Sequence, residues 1–278
     1  MDTLKAFLRH PSGMIGLVIL AVIVTLALAA PLLYPDDPWD MVGRPFAPPF
    51  TDGFVLGSDT LGRDIAAGIV HGTRVSLTIG IASTLAAVLI GVLVGAVAGY
   101  WGGAVDDALM RLTELFQTIP GFILAILLVA TLGPSLVNVV FAIGAVSWPP
   151  LARLTRAEFL RLRGREFVQA AACQGQTALA VVLRHILPNA VSPIIVTGSL
   201  TIASAILIES ALSFMGLGDP NLMSWGFMVG ASRTVIRQAW WMSVFPGVAI
   251  LLTVLAINLL GEGLNDTLNP RIARGGRH

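Results

Sequence analysis

Charge is scarce in this sequence. Asp, Glu, Lys and Arg make up 12% of its 278 residues, against about 25% in a soluble domain. A chain of this length with half the usual charge reads as one that spends much of its surface in lipid. The formal net charge of +1 offers no basic surface for nucleic acid. Cysteine is nearly absent: Cys173 stands alone, which excludes an intrachain disulfide and a cysteine zinc cluster. Lysine is as rare, because Lys5 is the sole lysine among the basic residues. A phosphate-gripping Walker A loop needs a lysine just after its glycines, and Lys5 sits in TLKAF with no such loop before it. The chain itself is therefore not expected to hydrolyse ATP by that route. The histidines His10, His71, His185 and His278 are not spaced to share a metal, and no HExxH motif occurs. No metal site and no cofactor of the chain's own is expected, and no catalytic residue.

Apolar residues fill the space that charge leaves. They make up 55% of the chain, with a mean hydropathy of +0.83. A helix crossing the hydrocarbon core needs about 20 apolar residues. Candidate spans run over 14–34, 75–100, 108–132, 136–151, 190–214 and 244–260. In lipid the backbone must satisfy its own hydrogen bonds, and a barrel would show short alternating segments instead. The expected fold is an all-α, polytopic membrane protein of about six transmembrane helices. Gly133-Pro134 reads as a tight turn between two of them. The first span has a basic start and a small-residue Ala27-Leu28-Ala29, but its apolar run is longer than a signal-peptide core, so it reads as a retained helix. The chain divides into 1–55, holding the first helix and the start of a loop, and a core over 56–278 that contains a polar loop at 153–189.

Basic residues set the expected orientation. With the amino terminus in the cytoplasm, Lys5, Arg9, Arg111, the cluster Arg153, Arg156, Arg161, Arg163, Arg165 and Arg184, and the tail Arg271, Arg274 and Arg277 fall on one side. Only Arg44, Arg63, Arg74, Arg233 and Arg237 fall on the other, beside an acidic stretch that includes Asp36, Asp37 and Asp40. Cytoplasmic loops carry the excess of positive charge, so both termini are expected in the cytoplasm. The external crossing from 36 to 74 carries Pro45, Pro48 and Pro49 and reads as extended and ordered. Its second part, 60–72, reads as a short helix along the membrane surface. It is either a docking surface for a soluble protein or a lid over the bundle.

The stretch EFVQAAACQGQTALAVVLRHILPN, 166–189, is a polar island flanked by arginines. Its alanines favour helix, and the small side chains of Ala170, Ala171 and Ala172 with Gly175 are expected to form one tight helical face that would let another protein approach closely. A helix stops before proline, whose ring clashes with the preceding turn. The expected form is a short helix, a turn, and a second short helix ending at Pro188. Gly91, Gly95 and Gly99 lie four apart in the second span and suit close packing within the bundle. Arg111 and Glu114 are spaced to pair on one helical face. Glu209 is an ionisable residue inside the fifth span, which marks it as a pathway residue or as a carboxyl hydrogen-bonded for structure.

The same stretch resembles the coupling loop of bacterial ABC-importer permeases: Glu-Ala-Ala, three residues, Gly, nine residues, then Ile-x-Leu-Pro. Gln169, Ala170 and Ala171 match the first group, with glutamine replacing glutamate; Gly175 follows, and His185, Ile186, Leu187 and Pro188 match the last, with His185 replacing isoleucine. Leu56-Gly57-Ser58-Asp59-Thr60-Leu61-Gly62-Arg63-Asp64, Ala98-Gly99-Tyr100, 213–218 and the closing 258–271 are similar to the second permease subunit of dipeptide and oligopeptide importers. The segment 219–226 is shorter and poorer in proline than that family's. The resemblance implies a translocation subunit for di- or oligopeptides, or for nickel or other metal chelates or glutathione. It implies an ATPase-coupling loop at Glu166, Gln169, Ala170, Ala171, Gly175, His185, Leu187 and Pro188. It further implies a homologous second permease, two ABC ATPase subunits or domains that use ATP and Mg, an extracytoplasmic solute-binding protein, and a place in the bacterial inner membrane. An ion-coupled secondary transporter would need interrupted helices or repeats about a midplane site. A membrane-embedded enzyme would need paired catalytic groups at one depth. Glu209 is the only convincing intramembrane acid, no repeat is evident, and the spans offer no paired catalytic groups.

Overall fold

The computed structural model describes residues 6–268. Lys5, the tail arginines, His278 and the end of the 258–271 signature lie outside these. Among the described residues the regular structure is helical, with two isolated β-bridges, Thr51 to Phe54 and Ser58 to Asp64. Five helices are long and apolar enough to cross a membrane, or six if one bent pair counts as a span.

Helix α1 (Pro11–Leu33) starts on a proline, which needs no N–H partner in a first turn. His10 caps it, its Nδ1 accepting from the Gly13 N–H at 3.3 Å. Helix α2 (Ile65–Trp101) runs 37 residues, roughly 55 Å at 1.5 Å per residue. It begins ten residues before the expected span, because Asp64 caps it through the Ala66 N–H at 2.8 Å and no breaker follows. Residues 65–72 are thus the first turns of α2, not a separate surface helix.

The expected third span is two helices, α3 (Gly103–Thr118) and α4 (Gly121–Leu132), bent by 81°. Pro120 pushes Ile119 out of the helical region, to φ −93° and ψ 129°, and so breaks the run. The Gly133 turn follows as expected, at φ +91°. The Asn138 side chain closes it, donating to the Leu132 and Gly133 carbonyls at 2.9 Å each. Helix α5 (Leu136–Arg163) is capped by Ser135 and ends in a turn carrying Arg161 and Arg163, placed well for the helix dipole. Beyond the polar loop come α6 (Glu166–Cys173), α7 (Ala178–Val181), a π-helical turn (Val182–Ile186), α8 (Leu187–Phe214), α9 (Trp225–Ser232) and α10 (Trp241–Leu268).

The bundle is drawn together by glycine. A Cβ on Gly91, Gly95 or Gly99 would lie 2.6 Å from Leu151 Cβ, 2.3 Å from the Ala152 carbonyl and 2.6 Å from Phe159 Cβ respectively. The glycine stripe is therefore the seam between α2 and α5, and packing is internal. A second seam joins α1 to α10, where a Cβ on Gly16 would come within 2.6 Å of the Ala256 carbonyl. The crossing before α2 is ordered by its own side chains. Buried Ser58 accepts from the Ala47 N–H and donates to the Arg44 carbonyl, and Trp241 Nε1 donates to the Ser58 carbonyl. Asp59 holds the following turn through the Leu61 and Arg63 N–H groups. This stretch packs on the first turn of α10.

Candidate functional site

The polar loop folds as a helical hairpin on the end of α5. Glu166 lies in the first turn of α6, where a carboxylate suits the helix dipole. Gly175 ends that arm at φ +79°, a conformation that favours glycine. Thr177 then caps α7, its hydroxyl accepting from the Ala180 N–H at 3.3 Å. His185 Nε2 reaches back 2.9 Å to the Gln176 side-chain oxygen and ties the second arm to the turn.

The second arm does not stop at Pro188. The helix widens into a π turn at Val182–Ile186, in which the Leu187 N–H bonds to the Val182 carbonyl. That widening accommodates the proline ring that would otherwise strike the carbonyl one turn back. Pro188 then sits in the first turn of α8, and the chain from Ala178 to Phe214 is one 37-residue helical rod. Asn189 adds a side-chain bond to the His185 carbonyl at 2.7 Å.

One face of the hairpin is glued down. Val168 and Ala171 from α6, with Val181, Val182 and Ile186 from the second arm, form a core with Phe159 and Leu162 of α5. The opposite face is bare: Glu166, Gln169, Ala170 and Gly175 are exposed, and a Cβ on Gly175 would meet nothing within 4 Å. The expected coupling residues therefore divide by role. Glu166, Gln169, Ala170 and Gly175 present a surface; Ala171 and Leu187 pack beneath it; His185 and Pro188 shape the second arm. Ala170, Ala171 and Ala172 do not share a face, since successive helical residues are about 100° apart, and Gly175 lies past the helix end.

Three residues missing from the expected set stand on the bare side. Phe167, Leu179 and Leu183 are 45%, 66% and 51% exposed. Large apolar side chains exposed in a polar loop are what a protein-docking surface presents. The signal was in the sequence as large apolar residues inside a polar segment, but only the fold shows which of them face outward.

Arg156 counted toward the basic cluster, but its pairing with Asp106 was not legible in the sequence. Arg156 Nε and a terminal nitrogen donate to the two Asp106 oxygens at 2.5 and 2.6 Å, clamping α3 to α5. Arg111 and Glu114 are both exposed, and among the described residues they form no ion pair with each other.

Glu209 lies toward the far end of the α8 rod and is 1% exposed. Ser213 donates to one carboxyl oxygen at 2.8 Å, and Ser210 approaches the other at 3.4 Å. Ser224, the cap of α9, closes the cluster. Packing here is tight: a Cβ on Gly226 would fall 2.5 Å from the Ser210 Cα. The carboxyl joins α8 to α9 and does not open onto solvent in this conformation.

A membrane-spanning helical bundle with a rigidly mounted polar hairpin defines a transport permease. The chain belongs to the family described as binding-protein-dependent transport system inner membrane component, which matches residues 91–274. Residues 1–49 match the N-terminal TM domain of oligopeptide transport permease C. The di/tripeptide transport system permease protein DppC of Pseudomonas aeruginosa is 40% identical, over 96% of this chain and 91% of that protein. The oligopeptide transport system permease protein OppC of Escherichia coli K12 is 38% identical, over 97% and 90%. In fold, the chain is similar to an inward-facing structure of the MetNI methionine ABC transporter, with TM-score 0.60 and 16% identity, over 73% of this chain and 96% of that one.

Proposed function

We propose that this chain is one of two permease subunits of a peptide importer in the bacterial inner membrane, with both termini in the cytoplasm. It forms part of the path for di- or oligopeptides, beside a homologous second permease. Two ABC ATPase subunits or domains supply the energy by using ATP and Mg, and an extracytoplasmic binding protein delivers the solute. The chain contributes no covalent chemistry, contacts membrane lipid and takes no nucleic acid.

The observation that carries this reading is the mounting of the hairpin. Its bare face of Glu166, Phe167, Gln169 and Ala170 is exposed and free to seat in a groove of an ATPase subunit. Its other face is bonded to α5 by a buried core, and its second arm continues without a break into α8. A push on α6 therefore moves a packed rod whose far end holds Glu209 and the α9 cap. Such rigid-body motion is a known form of switching between states, and it opens and closes the path from opposite sides. Peptides are the favoured cargo because the curated relatives that match nearly the whole chain are named as peptide permeases.

The test is transport by the assembled complex in vesicles. Solute-loaded binding protein should stimulate ATP hydrolysis, and labelled dipeptide should accumulate. If a metal chelate or glutathione drives hydrolysis and dipeptides do not, the cargo assignment falls. If hydrolysis ignores the binding protein altogether, the importer reading falls with it.

A further inference from the structure

Between α1, α2 and α10 the bundle leaves a recess of about 460 Å³, within the roughly 300–1,000 Å³ of ligand-binding pockets. We propose that it holds the hydrocarbon tail of a membrane lipid, bound as a fixed part of the protein. Val18, Val22 and Leu26 of α1 form one wall and Val248 and Leu252 of α10 the other, with Trp225 among the residues between them.

The chemistry of the lining selects the occupant. Each polar atom at its base is already used within the protein. The Thr73 hydroxyl and Trp225 Nε1 both donate to the Ile69 carbonyl, at 2.8 and 3.1 Å, and the Thr253 hydroxyl donates to the Ala249 carbonyl at 2.8 Å. A peptide, an ion or a headgroup would lose its own hydrogen bonds there and find no free donor, only the lone pairs of two hydroxyls, in return. Water is excluded on the same ground, because apolar cavities stay dry. A hydrocarbon chain loses nothing and gains dispersion contact with every wall.

The recess is also held open. At the amino-terminal end of α1, backbone meets backbone: a Cβ on Gly263 would lie 2.7 Å from the Gly13 Cα. At the other end, Arg74 of α2 donates to the Ala27 and Leu28 carbonyls, and His71 Nε2 bonds to the Tyr34 carbonyl at 2.9 Å. Pinned at both ends, α1 cannot fall inward to fill the space. A helix from another subunit would need about 30 Å of clear length to cross the hydrocarbon, and the two pinned ends close that length off. The mouth is continuous with the lipid-facing surface, since Val18 and Val22 are 56% and 54% exposed. A single flexible chain entering from that side is the occupant that fits.

The test uses the assembled complex in its native membrane, with a photoreactive amino acid at Val22. Leu28, exposed and turned about 120° from Val22 around α1, carries the same probe as a control. After detergent purification and an extensive lipid-removing wash, irradiation should still give a phospholipid adduct at Val22, while the Leu28 adduct is lost. Ala249→Phe, or Leu252→Phe should the first fail to insert, should abolish the Val22 adduct by filling the space. An adduct at Val22 that washes away together with that at Leu28 would mean ordinary surrounding lipid and overturn the proposal. So would an adduct to another protein chain, or one that survives the filling variants.

Discussion

Arg74 donates from Nε to the Ala27 carbonyl at 2.6 Å, and that carbonyl lies four residues before Pro31 in α1. Proline has no N–H, so the helix cannot supply the partner Ala27 would otherwise have. A cation on α2 supplies it instead. The bond turns a defect in the first helix into its attachment to the second.

Arg74→Met should therefore destabilise the purified complex, by about 1.5 kcal/mol, at the low end for a hydrogen bond to a charged group because the guanidinium is exposed. In a Pro31→Ala background the helix regains its own donor, and the same substitution should cost clearly less. Thermal unfolding of the four proteins in the cycle measures the coupling. Equal costs in both backgrounds would show that Arg74 acts elsewhere.

The Asp106–Arg156 clamp should behave as a pair. Asp106→Asn leaves one acceptor but removes the charge, and should cost about 1–2 kcal/mol, moderated by the partial exposure of Arg156. Exchanging the two residues, Asp106→Arg with Arg156→Asp, should recover part of that loss and of transport. If the exchanged protein is no better than either single variant, the clamp is not what joins α3 to α5.

Gly175→Arg should abolish transport while the protein still inserts and assembles, because a long cation would stand on the bare face of the hairpin. Gly175 is in a left-handed conformation, so strain alone could have the same effect. Asparagine tolerates that conformation far better than most residues, and Gly175→Asn should keep most transport. Loss in both variants would trace the effect to the backbone. Normal uptake by Gly175→Arg at normal expression would remove Gly175 from the docking surface.

Cysteines placed at Asp52 and at Arg163, with Cys173 removed, should react with a membrane-impermeant reagent from opposite sides. Both positions are exposed, so accessibility does not confound the result. Reaction of both from one side would invert the proposed orientation.

Glu209→Gln should leave transport and solute preference largely unchanged. Glutamine keeps an acceptor for Ser213 and fits the same volume, and the carboxyl is closed off from solvent by its serine partners. A sharp loss confined to cationic peptides, in a variant that still assembles, would instead place Glu209 on the path, where a charge-assisted bond is worth about 2–5 kcal/mol.

Much of the architecture is local, and local features are legible. Apolar runs of span length must be helices in lipid, Gly133 must turn, and the glycines at 91, 95 and 99 must face a close neighbour, whichever helix that turned out to be. The polar hairpin was legible in part, because alanines, Gly175 and arginine flanks belong to one short segment, but its second arm runs on past Pro188. What the sequence left open depends on distant partners. Proline breaks the run at Pro120 but not at Pro188, because a π turn absorbs the second ring and nothing comparable precedes the first. Asp106 finds Arg156 fifty residues away, where the expected pairing of Arg111 and Glu114 leaves both side chains in the open. Which face of 166–173 stays exposed and which is glued down was decided only when Phe159 and Leu162 of α5 claimed Val168 and Ala171. Covalent spacing determines which residues can share a turn; burial against another helix determines which of them remain free to act.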